Sequence, residues 1–211
     1  MANPSPSILS IESPEFSHVQ RMLNKRTNQY VFRILPGEYY FTTKDEVIST
    51  TLGSCISACV RDTELNIGGM NHFMLPNQGN SSSWEDLETR YGNVAMERLI
   101  NSIFKAGGRR ENLEIKVFGG GKIVPAMSDV GDKNISFIKE YLSTEGYEIA
   151  SEDLGLEFPR KVNYFPKTGR VMMKRLRSIH KKSIAQEETK YVNNFASNKM
   201  QDSKAGDVEL F

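Results

Sequence analysis

Apolar positions in this chain gather into short runs between glycine-, proline- and charge-rich stretches, and their period switches from that of a strand to that of a helix and back. "YVFRILPGEYYFTT", from Tyr30 to Thr43, predicts a strand, a Pro-Gly turn and a second strand. "VISTTLGSCISACVRD", from Val47 to Asp62, is rich in β-branched residues and interrupted by Gly53, which predicts a strand, a tight bend and another strand. "NIGGMNHFMLP" returns as a third. Between Gly92 and Ala106 apolar residues recur at Ala95, Leu99 and Ile103 and at Met96, Ile100 and Phe104, the spacing of one helix face, and Gly107-Gly108 closes the segment. "NLEIKVFGGG" predicts a strand running into a glycine turn, "ISFIKEYLSTEG" a second helix capped by Gly146, and "RKVNYFPKTGRVMMKRL" a hairpin around Pro166 to Gly169.

The two ends lack such periodicity. Residues 1–28 are polar with scattered prolines and predict a flexible N-terminal arm; from Ser178 onward Lys, Ser, Gln, Asn and Glu dominate, the pattern of a polar, mobile tail over 178–211. One domain over 29–177 remains between them.

Composition changes this picture little. With 38% apolar and 25% charged residues in 211, usage is that of an ordinary globular chain with one sizeable core. Lys and Arg number 27 against 26 Asp and Glu, so a net charge of +1 offers no global attraction for nucleic acid or an anionic membrane. Any charge-driven docking has to be local, and "KTGRVMMKRLRSIHKK", Lys167 to Lys182, carries seven basic residues and no acid. Such a run is either a solvated face or a seat for an acidic partner. The start of the chain lacks a basic segment followed by a long apolar one, and no window approaches the roughly 18 apolar residues of a membrane span, so a cytoplasmic protein is expected.

Scarcity draws attention to two residues. The chain has two cysteines and three histidines, and Cys55 and His72 fall within one predicted hairpin. Cys55 and Cys59, four apart on one strand, would hold their Cα atoms about 13 Å apart, beyond disulfide reach. With a two-residue loop at Thr63-Glu64, Arg61 faces Asn66 and Cys55 faces His72. Opposed side chains on one face have Cβ atoms about 4.5–5.5 Å apart, near enough for a thiol to meet an imidazole; a bulge at Gly68-Gly69 would shift that register.

A histidine so placed lowers the cysteine pKa and supplies a thiolate nucleophile, then returns the proton to a leaving group. The N–H groups of Gly53, Ser54 and Cys55 at the preceding turn offer a cradle for an oxyanion. The plain alternative is a Cys-His pair that merely packs in a strand core. Cys59 reads as core. Asn71 lies on the opposite strand face from His72 and is poorly placed to orient it. A hydroxyl from Ser49, Thr50 or Thr51 suits that role, and geometry alone does not choose among them.

Two other chemistries find little support. Gly119-Gly120-Gly121-Lys122 lacks the spacing of a phosphate loop, and Ile123 stands where a Ser or Thr is needed. A metal would have only Cys55, Cys59 and His72 to draw on, without the paired spacing of zinc ligands. No cofactor is expected.

Taken in order, "LGSC", "GGMNHFMLP", "FGGG", "ED" and "PRKVNYFPKTGRV" resemble the bacterial chemoreceptor glutamine deamidases, the CheD family, over roughly Tyr39 to Leu176. The resemblance implies an α/β fold, a layered sandwich of mixed or antiparallel β-sheet with flanking helices. It implies a cytoplasmic enzyme that converts glutamine side chains of methyl-accepting chemotaxis receptors to glutamate with release of ammonia. Cys55 would be the nucleophile and His72 the general base. The third residue, a threonine six positions before the cysteine in the family, falls on Ser49, which keeps the hydroxyl and loses the methyl; Thr50 and Thr51 are its substitutes. Some members also bind the chemotaxis phosphatase CheC. Hydrolysis of receptor methyl esters, or a non-catalytic role bound to such a phosphatase, are the alternatives.

Overall fold

The computed structural model describes residues 14–75, 82–123, 128–177 and 181–204. Among the described residues ten strands form two five-stranded sheets. The first contains β1 (Gln20–Asn24), β2 (Gln29–Arg33), β4 (Val47–Leu52), β9 (Arg160–Phe165) and β10 (Arg170–Arg175), in that spatial order. The second runs β3 (Tyr39–Thr42), β6 (Ile67–Asn71), β5 (Ile56–Asp62), β7 (Leu113–Gly119) and β8 (Ile149–Leu154). Pairing is antiparallel except for β2 with β4 and β7 with β8, so both sheets are mixed. This is the α/β sandwich that the resemblance implies.

Alternation along the strands sorts the layers. On β4, Ile48, Thr50 and Leu52 point into the core while Ser49 and Thr51 line the outer face of the first sheet. Helices α1 (Ser82–Lys105) and α2 (Ser128–Thr144) cover the outer face of the second sheet. Helix α1 buries Met96, Leu99, Ile100 and Ile103, spaced as one helix face. Each such side chain contributes about 1.5–3 kcal/mol, so truncating Leu99 to Ala breaks the layer at a cost of about 2–5 kcal/mol.

Three segments depart from the pattern-based reading. The expected arm contributes β1 from residue 20 and buries Phe16, whose ring packs edge-on against Tyr39 and Tyr40; residues 1–13 lie outside the described residues. Strand β8 has a mostly exposed, acid-rich surface and gave no periodic signal. The polar tail forms helix α3 (Lys181–Lys204), which buries Ile184 and Glu188, with Tyr191 half-buried on the same stripe.

The hairpin between β5 and β6 also differs. The Asp62 carboxylate accepts the N–H groups of Glu64 (2.9 Å) and Leu65 (2.8 Å), and Asn66 takes a left-handed φ of 56°, so the turn has four residues rather than two. Arg61 therefore pairs with Gly68, and Ile56 bridges Phe73. Continued one step, that register sets Cys55 across from Met74. The shift is by two residues, which preserves every face: Cys55 and His72 become diagonal neighbours on one side of the sheet.

Candidate active site

Among the crossings between the sheets at one end of the sandwich are those from β2 to β3 through Leu35–Glu38 and from β4 to β5 through Gly53–Cys55. Both crossings are tied to the strand end that carries His72. Gly37 donates to the His72 carbonyl (2.7 Å), the His72 N–H donates to the Glu38 carbonyl (2.9 Å), and Ile56 and Phe73 exchange two 2.9 Å hydrogen bonds. Cys55 and His72 are both buried there.

Thr50, not Ser49, meets the histidine. Its hydroxyl lies 2.8 Å from His72 Nδ1 and donates to the Ile34 carbonyl at 2.8 Å. With that proton committed to Ile34, the Thr50 oxygen accepts from Nδ1–H, which leaves the lone pair on Nε2. Nε2 is the one buried side-chain nitrogen or oxygen among the described residues without a hydrogen-bond partner. Ser49 points the opposite way and donates to Asn163 Oδ1 at 2.7 Å on the outer face of the first sheet. Thr51 lines that same outer face. Pleat alternation thus separates three neighbouring hydroxyls that sequence spacing left equivalent.

Cys55 sits on a loop fixed from behind. Gly120 N–H donates to the Cys55 carbonyl (2.8 Å) and Gly121 N–H to that of Gly53 (2.7 Å). Gly119 has φ +120°, and a Cβ there would stand 2.1 Å from the Cys55 carbonyl oxygen, so only glycine allows this approach. The glycine run that fails as a phosphate loop is therefore the backing of the Cys55 turn. Arg160, fully buried, braces the far side through Asp153 and the carbonyls of Gly155 (2.6 Å) and Phe158 (3.1 Å). Asn134, also fully buried on α2, donates to the Ser54 carbonyl (2.9 Å) and accepts from Leu75 N–H (2.8 Å). Its only sequence signal is a polar residue in the apolar stripe Val130, Ile138, Leu142.

The N–H groups of Gly53, Ser54 and Cys55 all point at one carboxylate, that of Glu188 on α3 (3.0, 3.1 and 3.3 Å). Burial, followed by that carboxylate, pushes the Cys55 thiol well above its ordinary pKa. Burial likewise depresses His72 to about 3, with the Arg33 charge adding to it against the Ile34 carbonyl. Thiol and imidazole are both neutral here; the ion pair expected from sequence is opposed by desolvation of both charges. Cys59, also buried, faces Tyr164 between the sheets and belongs to the core. Asn71 turns toward α1, where its amide donates to the Ala95 carbonyl at 3.1 Å.

Among the described residues, no group of three His, Cys, Asp or Glu side chains is placed to hold a metal ion, and no helix is long and apolar enough to cross a membrane. Of the basic run, Arg170 to Arg175 form β10, Arg175 pairs with Asp153 (3.0 Å), and Lys181 and Lys182 open α3.

A buried thiol, an imidazole diagonal to it on the same side of the hairpin with Nδ1 fixed and Nε2 unpartnered, and a turn whose three N–H groups hold a carboxylate are groups that thiol acyl-transfer chemistry can use. Comparison with known proteins narrows that class. A family described as "CheD chemotactic sensory transduction" matches residues 74–175. A relative named "Probable chemoreceptor glutamine deamidase CheD" from Hahella chejuensis is 48% identical over 210 residues, 99% of this chain and 97% of its own. Relatives with the same name are 47% identical in Hydrogenovibrio crunogenus (92% of this chain, 100% of its own) and 50% in a Janthinobacterium species (85% and 88%). This chain belongs to the CheD family.

Proposed function

We propose that this protein deamidates glutamine side chains of chemotaxis receptors in the cytoplasm, with Cys55 as nucleophile, His72 as base and acid, and Thr50 as the residue that orients His72. The observation that carries the reading is the turn itself: three N–H groups beside a buried thiol already hold a side-chain carboxylate, the shape of the product. His72 Nε2 takes the Cys55 proton as sulfur attacks the carboxamide carbon. The oxyanion is held by the N–H groups of Gly53, Ser54 and Cys55. Collapse breaks the C–N bond, the imidazolium supplies the proton that releases ammonia, and a thioester remains. Water, deprotonated by His72, then breaks the C–S bond to give glutamate.

Recognition fits a side chain rather than the backbone. Receptor helices keep their backbone amides in hydrogen bonds, whereas a surface glutamine presents its carboxamide freely. The basic residues from Lys167 to Lys182 supply charge attraction to the acidic flanks of such helices.

Ammonia against methanol release from a receptor fragment separates this reaction from hydrolysis of receptor methyl esters. Ammonia release that disappears in Cys55→Ala supports the reading; methanol release alone overturns it. A CheC-type phosphatase is the second partner the family implies, and a direct binding assay with that protein tests it.

A further inference from the structure

Helix α3 places a glutamate where the reaction would leave one. Oε1 of Glu188 accepts from Gly53 N–H and Cys55 N–H, and Oε2 from Ser54 N–H (3.1 Å) and the Ser54 hydroxyl (2.7 Å). The residue is 2% exposed, and among the described residues no cation pairs with it. A carboxylate buried without a counter-ion is unfavourable unless its oxygens are fully hydrogen-bonded, and here four donors converge on it. That cluster of donors is the oxyanion cradle, so the carboxylate fills the position of reacting substrate.

The rest of the helix is fitted to the same seat. Ile184, one turn before Glu188, is buried. Tyr191, one turn after, hydrogen-bonds Tyr91 through its hydroxyl and lies against Gly37, where a Cβ would stand 2.8 Å from the ring. Tyr91 in turn lies within electrostatic reach of Cys55 and borders, with His72, a cavity of about 30 Å³. Glu187 reaches Arg33 at 3.4 Å. Positions 184, 188 and 191 form a single stripe of one helix, with an acid at its centre.

We propose that α3 is an internal stand-in for the substrate helix: it occupies the docking groove over Cys55 with Glu188 in the product position, and a receptor helix has to displace it. This rests on the deamidase reading for the identity of the competitor, but not for the occupancy of the seat. The groove then selects helices that carry an apolar residue four positions before the target glutamine and a large side chain three after it. The seat is self-limiting as well, because the product carboxylate is what it holds best.

The test is alkylation of Cys55 by iodoacetamide in the full-length protein, with buried Cys59 as the internal control and sites read by mass spectrometry. A competitor that fills the seat nine-tenths of the time slows labelling about tenfold, so Glu188→Ala is expected to accelerate Cys55 labelling by about that factor or more. Cys59 stays protected. Ile184→Asp, which loosens the helix without touching the carboxylate, is expected to do the same. In receptor deamidation, Glu188→Ala lowers KM by a similar factor with kcat unchanged. Equal Cys55 labelling in wild type and both variants, with Cys59 protected throughout, overturns the proposal. Faster labelling without receptor deamidation in any form keeps the proposal for the seat and removes the deamidase reading.

Discussion

Thr50→Val tests the orientation of His72 with the least change of shape. The substitution keeps the volume and removes one oxygen that serves two groups, the Nδ1–H of His72 and the Ile34 carbonyl, each at 2.8 Å. Losing a buried partner costs about 1–3 kcal/mol, and the lower part of that range is expected because the Ile34 carbonyl still faces the ring. For a chain of this size that lowers Tm by roughly 2–10 °C. The rate suffers more than the fold. Without the hydroxyl only the Ile34 carbonyl holds the Nδ1–H, so the ring that must accept from the thiol through Nε2 is less well placed, and general base catalysis contributes about 10²–10⁴-fold. We expect kcat for ammonia release from a receptor fragment to fall about 10²-fold, while circular dichroism shows an intact fold. Thr50→Ser restores most of the rate. Ser49→Ala, which loses only the bond to Asn163, keeps kcat near wild type. A fully active Thr50→Val beside a crippled Ser49→Ala would refute the reasoning and return the role to Ser49.

Further outcomes follow from the same contacts. Asn134→Leu leaves the Ser54 carbonyl and Leu75 N–H unpaired, so it lowers kcat and Tm together, whereas Cys59→Ala lowers only Tm. Gly119→Ala puts a methyl against the Cys55 carbonyl in a left-handed backbone; its thermal melt is expected well below wild type and its receptor turnover lost. His72 is held neutral by burial with a pKa of about 3, against about 6.5 unfolded, so the unfolded chain binds the extra proton and stability falls as pH drops from 6.5 toward 3. Denaturant titrations across that window show a slope that is reduced in His72→Gln. Exposed charges are screened within about 8 Å at physiological salt, so replacing Arg177, Lys181 and Lys182 by Gln raises KM for receptor and flattens its salt dependence; unchanged KM would make the run a solvated face.

Several of these contacts were open to sequence reasoning and several were not. Two rare residues in one hairpin marked Cys55 and His72, because few residue types do nucleophilic work and this chain spends them sparingly. The register between them was misplaced by two residues, since the Asp62 carboxylate organises the turn through N–H groups that local propensity does not weigh. The choice among Ser49, Thr50 and Thr51 depends on which face of β4 meets the second sheet, a fact set by pairing with β9 over 100 residues away. Asn134 and Arg160 are scaffold through long-range contacts of the same kind. Helix α3 escaped notice for another reason. Among its described side chains the buried stripe is one residue wide and centred on Glu188, so hydrophobic periodicity has almost nothing to register, and the helix shows its purpose only against the turn it fills.

The central claim is that Cys55, backed by His72 and Thr50, converts receptor glutamine to glutamate. Tandem mass spectrometry of a purified receptor cytoplasmic fragment tests it most directly, after incubation with wild type, with Cys55→Ala and without enzyme. Site-specific gain of the amide-to-acid mass shift at defined helix-surface glutamines with wild type, and at none with Cys55→Ala, is the expected result. Conversion that proceeds equally with Cys55→Ala, or a receptor left unchanged by wild type, would contradict it.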